Sequence, residues 1–353
     1  MRRTERMPLA DVPRAARDHD LPGIRRSWPS IGALFQRSEV RDDGGEVVAG
    51  ALLWRTRTIS AGRGVARIVK IGVLYNTASY GLDPEKIVAL AQHAEACGFE
   101  SFYMPERIAL YRGAAMGASE LDPTIPIADP LDCLSFVAAA TDRILLGTGV
   151  LLVPYHHPVV LAKRLATIDV LSKGRMRLFT VGLGSLPGEA AAVGVDFASR
   201  GRRADEAIDV LRLLWAGDET GVSYTGEFFS FTDLCSYPKP FQASMLPIHV
   251  GGASRAAARR AGLRGEGYFA GGMVAPDERA AQVEVMRSAA LEAGRDPDAL
   301  DYTRWGSLDL TAEDIAAHAR QGITRLIVAP AATELDELRD ELSRFANRIG
   351  LPR

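Results

Sequence analysis

Between Arg143 and Ser185 the chain runs through a stretch of successive apolar residues (Ile144 to Val153), then a segment of helical period, then a second apolar run ending in Gly182, Leu183 and Gly184. Strands that are apolar on successive residues, without alternation, are those buried on both faces of a parallel sheet. A parallel pair needs a crossover, and the middle segment supplies it. Pro158 fits the first helical position, Leu161, Leu165, Ile168 and Leu171 form one apolar stripe, and Lys173 and Gly174 read as a basic last turn and a glycine stop.

The same alternation recurs from Val69 onward. Strand one spans Val69 to Tyr75, and Asp83 and Pro84 open a helix with the stripe Ile87, Leu90, Ala91 and Ala94 and a stop at Gly98. Strand two, Ser101 to Pro105, leads into a loop from Glu106 to Ala128 that has the length of a functional insertion. Asp129 and Pro130 open the next helix. A second long loop follows Gly184, then a helix from about Gly201 to Trp215 and a small hairpin within Val222 to Phe231. The remaining strands are expected at Pro247 to Gly251, Gly267 to Gly272, Asp301 to Leu308 and Arg325 to Ala329, with helices opened by Ser254, Pro276 and a Thr311/Asp314 capping box. The last helix carries the stripe Leu335, Leu338, Leu342, Phe345 and Ile349. Eight such repeats predict an α/β fold, a (β/α)8 TIM barrel with insertions after strands two and four and its active site at the carboxyl ends of the strands.

Residues 1 to 67 break the pattern: they hold 13 Arg against 8 Asp plus Glu and no sustained period. This composition predicts a disordered leader, or an over-extended start with translation beginning near Val65 or Val69, ahead of a single barrel domain over residues 68 to 353. The patch Val47 to Trp54 follows an acidic stretch and does not resemble a signal peptide.

The net charge of −2 and the lack of clustered basic residues argue against a nucleic-acid partner, and no run of 18 apolar residues is present to span a bilayer. An excess of 37 Arg over 5 Lys points to GC-rich coding more than to a ligand. Cys97, Cys133 and Cys235 are odd in number and lack CxxC spacing, so reduced thiols in a cytoplasmic protein are expected. No HExxH, Cys/His cluster or Gly-x-Ser-x-Gly occurs, so neither a metal site nor a serine hydrolase is expected. His156 and His157 are adjacent and would point to different sides of an extended segment, leaving at least one structural.

Glycines end both central strands, at Gly147 and Gly149 and at Gly182 and Gly184. Such pairs are either tight turns or places where backbone amides approach a ligand. The wording GTGVLL, HPVVLAKRLATIDVLSKGR and VGLGS, with FESFYMPERI, GRRADEAIDVLRLLWAG, YTGEFFSF and PIHVGGASRAAARRAG, closely resembles the luciferase-like monooxygenase family and, within it, the branch using the deazaflavin coenzyme F420. The resemblance covers roughly Ile68 to the C-terminus.

It implies a coenzyme across strands two to five, with a cis peptide at Gly149–Val150, after Thr148, supporting the ring. Gly182, Leu183 and Gly184 match a loop that cradles phosphate with backbone amides. Gly251, Gly252, Ala253 and Ser254 offer a second amide cluster at a helix N-terminus, where Ser254 is equally readable as an N-cap. Glu106 matches an acidic residue beside the ring, placed for proton traffic, or it is a solvated carboxylate paired with Arg107. Arg107 and Ser185 stand where the sugar-phosphate dehydrogenases of the family have a histidine and a glutamate, so that dehydrogenation is not expected. Arg107 cannot act as a base, yet it suits an anionic substrate or the coenzyme's acidic tail.

The expectation is an oxidoreductase moving a hydride between F420 and a small organic molecule, with Tyr111, Met116 and Leu186 on the substrate side. The alternatives are an FMN-dependent monooxygenase with a partner reductase, or a non-catalytic coenzyme-binding protein. Relatives are often dimers, so a homodimer is also expected.

Overall fold

The computed structural model describes residues 68–271 and 274–352. The expected leader and the expected end of strand six at Gly272 lie outside them. Eight parallel strands close a barrel in chain order: β1 (Lys70–Leu74), β2 (Ser101–Met104), β3 (Leu145–Leu152), β4 (Met176–Gly182), β5 (Ile248–Gly252), β6 (Gly267–Ala270), β7 (Asp301–Trp305) and β8 (Arg325–Val328), which pairs back with β1. Eight helices cover the outside: α1 (Pro84–Ala96), α2 (Pro130–Ala140), α3 (Pro158–Leu171), α4 (Arg200–Ala216), α5 (Arg255–Arg264), α6 (Pro276–Glu292), α7 (Ala312–Arg320) and α8 (Leu335–Ile349). The protein is therefore a (β/α)8 barrel.

The helix starts follow local chemistry. Asp83 and Asp129 each accept two backbone N–H groups of the first turn, with proline at the next position. Thr311 and Asp314 form the reciprocal capping box. Past α3, Lys173 and Gly174 both adopt positive φ, 56° and 88°, turning the chain into β4. Strand seven ends at Trp305 and not at Leu308: the Gly306 N–H makes a last ladder bond to the Ile327 carbonyl, and the Leu310 N–H then donates to the Ser307 carbonyl to close a turn.

Two packed layers result. Leu90, Leu134, Leu165 and Leu211, all fully buried, lie in the large core cluster with strand residues such as Phe102 and Val250. Tyr103, Leu178, Phe269 and Ile327 form a separate small cluster. At the amino end, Arg325 is 1 % exposed and donates to both oxygens of Glu100 (2.6 and 3.0 Å) and to Asp301 (3.1 Å). With charges closing that end, the carboxyl ends of the strands are left for a site.

The insertions lie there. The loop between β2 and α2 carries a two-stranded ribbon, Ala115–Met116 with Ser119–Glu120, and the loop after β4 carries a short helix, Pro187–Ala192. The decoration after α4 is a hairpin, Val222–Thr225 with Ser230–Leu234.

Candidate functional site

A cavity of about 520 Å³ opens at the carboxyl ends of β2 to β5, with Trp305 of β7 on its wall. Glu106, Arg107, Gly149, Val150, Gly182, Leu183, Gly184, Gly251 and Gly252 all line it. The expected residues are thus brought together from four strands. Three are set back from the lining. Thr148 is fully buried between β3 and β4, its Oγ1 donating to the Thr180 carbonyl at 2.8 Å and accepting from the Thr180 N–H at 3.0 Å. Ser254 accepts from the Ala257 N–H at 3.2 Å as the N-cap of α5. The Ala253 carbonyl accepts from Gln282 Nε2 at 3.1 Å.

The Gly149–Val150 peptide is cis, and the β3–β4 register shifts between Gly149 and Leu151. The bulge aims the Val150 side chain into a nest. A Cβ on Gly182 would lie 2.5 Å from Val150 Cγ2, and one on Gly251 would lie 2.5 Å from Val150 Cγ1. Likewise Gly184, at φ +76°, has the Tyr155 ring packed where a side chain would stand. At Gly182, Gly184 and Gly251 the close packing of Val150 and Tyr155 leaves no room for a Cβ, and the same glycines line the cavity.

Glu106 is 6 % exposed, so of its two readings it is not the solvated carboxylate paired with Arg107. Its Oε2 accepts from the Leu152 N–H at 2.6 Å and its Oε1 lies 2.9 Å from His156 Nε2. The Glu106 N–H in turn donates to the Val150 carbonyl at 3.1 Å. Strand-two end and strand-three bulge are therefore tied together by one residue. Of the two adjacent histidines, His156 is the structural one, bonded to Glu106, and His157 is exposed with its ring edge-on to Phe229 at 5.4 Å.

Arg107 is held by a residue that sequence reading missed. Its Nη1 donates to Glu189 Oε2 at 3.1 Å, and its Nη2 to Ser185 Oγ at 3.3 Å and Met116 Sδ at 3.2 Å. Glu189, 1 % exposed, also accepts from the Ile108 and Ala109 N–H groups at 2.7 and 3.4 Å. An acidic residue in the first turn after Pro187 reads as an ordinary helix start, so local pattern gave no signal of this contact. Glu189 thus balances the charge of Arg107 at the cavity wall. The Tyr155 phenol nearby is pushed above its ordinary pKa by burial first and by the Glu189 charge second.

The substrate side also differs in part. Met116 lines the cavity together with Leu110, Leu121, Ile125 and Ile127. Leu186 is buried in the core, and Tyr111 packs over Gly188, its hydroxyl accepting from the Gly188 N–H at 3.4 Å.

A (β/α)8 barrel with an apolar-walled cavity at the carboxyl ends of its strands, floored by a cis-peptide bulge and strand-end glycines, defines the class. The chain belongs to the luciferase-like monooxygenase family, whose description, Luciferase-like monooxygenase, matches residues 64–349. It is 33% identical over 228 residues to 4-hydroxyprotoasukamycin monooxygenase of Streptomyces nodosus subsp. asukaensis, covering 63% of this chain and 58% of that protein. It is 29% identical over 267 residues to limonene 1,2-monooxygenase of Rhodococcus erythropolis, covering 72% and 65%. The chain thus spans less than two thirds of the length of these two relatives. It is 31% identical over 269 residues to the F420-dependent glucose-6-phosphate dehydrogenase of Beutenbergia cavernae, covering 68% and 74%. Among solved structures, an F420-dependent secondary alcohol dehydrogenase superposes with a TM-score of 0.65 at 18% identity, covering 81% of this chain and 98% of that one, a likeness of fold.

Proposed function

We propose that the protein is an F420-dependent oxidoreductase acting on a small, neutral, largely apolar organic molecule. The observation that carries this reading is the Val150 bulge seated between Gly182 and Gly251 on the floor of the cavity, under walls that are mostly apolar. The residues fit the group: a flat ring system suits a floor made of the Val150 side chain and strand-end glycines, and strand-end and helix-start amides suit its phosphate. F420 held there would supply hydride chemistry at C5 of its central ring.

This chain's own residues position and exclude. Val150 would lie under the ring, and the backbone amides of Gly182 to Gly184 and of the Gly251 to Ser254 turn would be the groups to hold the phosphate. Glu106, fixed by Leu152 and His156, holds the bulge and carries a carboxylate at the cavity edge. Leu110, Met116, Leu121, Ile125 and Ile127 keep water from the reacting face, and Trp305 closes the far wall. Arg107, balanced by Glu189, favours a neutral substrate over the anionic one its sequence position suggested. The missing histidine and glutamate set this site apart from sugar-phosphate dehydrogenation, although a relative with that activity is 31% identical.

A second reading, an FMN-dependent monooxygenase with a partner reductase, draws support from the two monooxygenases among the relatives. Anaerobic incubation with F420 and a panel of apolar secondary alcohols and ketones, followed by coenzyme absorbance, tests the first reading. Turnover without oxygen supports it and removes a non-catalytic role. Turnover that requires oxygen, FMN and a reductase replaces it with the second, and tight binding with no turnover on any substrate favours a binding protein.

A further inference from the structure

The turn that follows β5 is anchored from behind by two buried side chains on other elements. Tyr268 of β6 is fully buried and Gln282 of α6 is 1 % exposed. Gln282 Nε2 donates to the Ala253 carbonyl at 3.1 Å, which fixes the orientation of its amide, and its Oε1 lies 2.9 Å from the Tyr268 hydroxyl. That hydroxyl also lies 2.9 Å from the Gly252 carbonyl, which accepts in addition from the Gly271 N–H at 3.0 Å. The phenol has one proton and two acceptors, so it donates to one at a time, and Gly271 keeps the Gly252 carbonyl satisfied when the proton is on Gln282.

The consequence lies on the opposite side of the two peptide planes. In a trans peptide the N–H points away from the preceding carbonyl. Holding the carbonyls of Gly252 and Ala253 toward Tyr268 and Gln282 therefore aims the N–H groups of Ala253 and Ser254 the other way, beside the first turn of α5, where the Ser254 side chain caps the Ala257 N–H. Gly252 sits at φ +145°, a conformation that L side chains rarely adopt, so the turn is held by its partners and by the glycine together. A buried glutamine and a buried tyrosine in the helix-to-strand layer, where Val, Leu or Phe would pack without any polar cost, need such a reason.

Resting on the coenzyme reading above, we propose that Tyr268 and Gln282 are positioning residues for phosphate recognition: they fix the peptide planes of Gly252–Ala253 and Ala253–Ser254 so that two amides face the coenzyme's phosphate. They touch neither ring nor substrate. The proposal therefore concerns one chemical group of the ligand, and a ligand lacking that group discriminates.

The test is fluorescence titration of the full-length apo-protein and of Tyr268→Phe and Gln282→Met with four probes: F420, its phosphate-free deazaflavin core, FMN and riboflavin. Unfolding midpoints of each variant are measured alongside. The expected result is that Kd for the preferred phosphate-bearing probe rises about 10-fold, the order of one lost hydrogen bond to a charged group, while Kd for its phosphate-free partner is unchanged. A parallel rise for both members of the pair, or no change for either, overturns the proposal and leaves the coenzyme reading standing. If one variant fails to fold, the other is decisive by itself, since each holds the same turn. Wild-type protein that binds none of the four probes overturns the coenzyme reading and this proposal together.

Discussion

Glu106 Oε1 and His156 Nε2 stand 2.9 Å apart, joining the end of β2 to the segment that follows the β3 bulge. The second oxygen of the same carboxylate holds the Leu152 N–H at 2.6 Å. One side chain thus satisfies a buried backbone donor and a largely buried imidazole, and the residue acts as a clasp for the cavity floor. Replacing it leaves the Leu152 N–H without a partner.

Glu106→Ala is therefore expected to cost about 2 kcal/mol of stability, within the range for an orphaned buried donor. Glu106→Gln, whose amide can accept from Leu152 and donate to His156, should recover most of it. Urea unfolding of the two variants checks this. A change below about 0.5 kcal/mol for the alanine variant would mean a surface-like carboxylate and contradict the clasp.

The Val150 nest makes a prediction about pairs. A Cβ on Gly182 would lie 2.5 Å from Val150 Cγ2, and a β-branched side chain has little rotamer freedom with which to yield. Gly182→Ala should cost about 1–3 kcal/mol as an overpacked contact, and Val150→Ala in the same chain should restore much of that loss. Equilibrium unfolding of both single variants and the double gives the coupling. Strict additivity would contradict the nest.

How much of this was legible beforehand follows the range of each interaction. Helix starts at Asp83, Asp129 and Thr311 were readable because cap and amide lie within three residues of one another. The cavity glycines were readable as a pattern, but the packing of Val150 against them was not, since Val150 reaches Gly251 from about a hundred residues away in sequence. The Arg107–Glu189 pair joins two loops 82 residues apart, and the His156–Glu106 contact spans 50; neither leaves a local periodicity. Strand seven was drawn too long because Gly306 and the turn after it carry no strong breaker pair. The sequence resemblance pointed to the candidate site, and the side-chain partners came from tertiary contacts.

Arg107 and Glu189 give a third prediction. The Glu189 side chain is fully buried and that of Arg107 is 16 % exposed. Glu189→Ala should cost about 3 kcal/mol, since it strands the guanidinium and two backbone donors, whereas Arg107→Met with Glu189→Gln should cost less than the sum of its parts. Guanidinium chloride unfolding checks the order. An alanine variant as stable as wild type would contradict the pairing.

At the amino end of the barrel, burial pushes the His249 imidazole down to about 4, and the Arg325 charge acts in the same direction. Unfolded, a histidine titrates near about 6.5. Below that pH the unfolded chain takes up a proton that the folded chain refuses, so the His249 contribution is present above about pH 6.5 and is lost as pH falls toward 4. At roughly 1.4 kcal/mol per unit of difference, the effect is on the order of 3 kcal/mol. His249→Gln should lose less stability than wild type between pH 6.5 and 4 in urea unfolding at each pH; parallel profiles would contradict a neutral buried imidazole.

The central claim is that the cavity floored by Val150, Gly182 and Gly251 holds a deazaflavin. Separate fluorescence titrations of the apo-protein with F420 and with FMN test it most directly. The account predicts saturable, micromolar binding of F420 with much weaker binding of FMN; preference for FMN, or binding of neither, would contradict it.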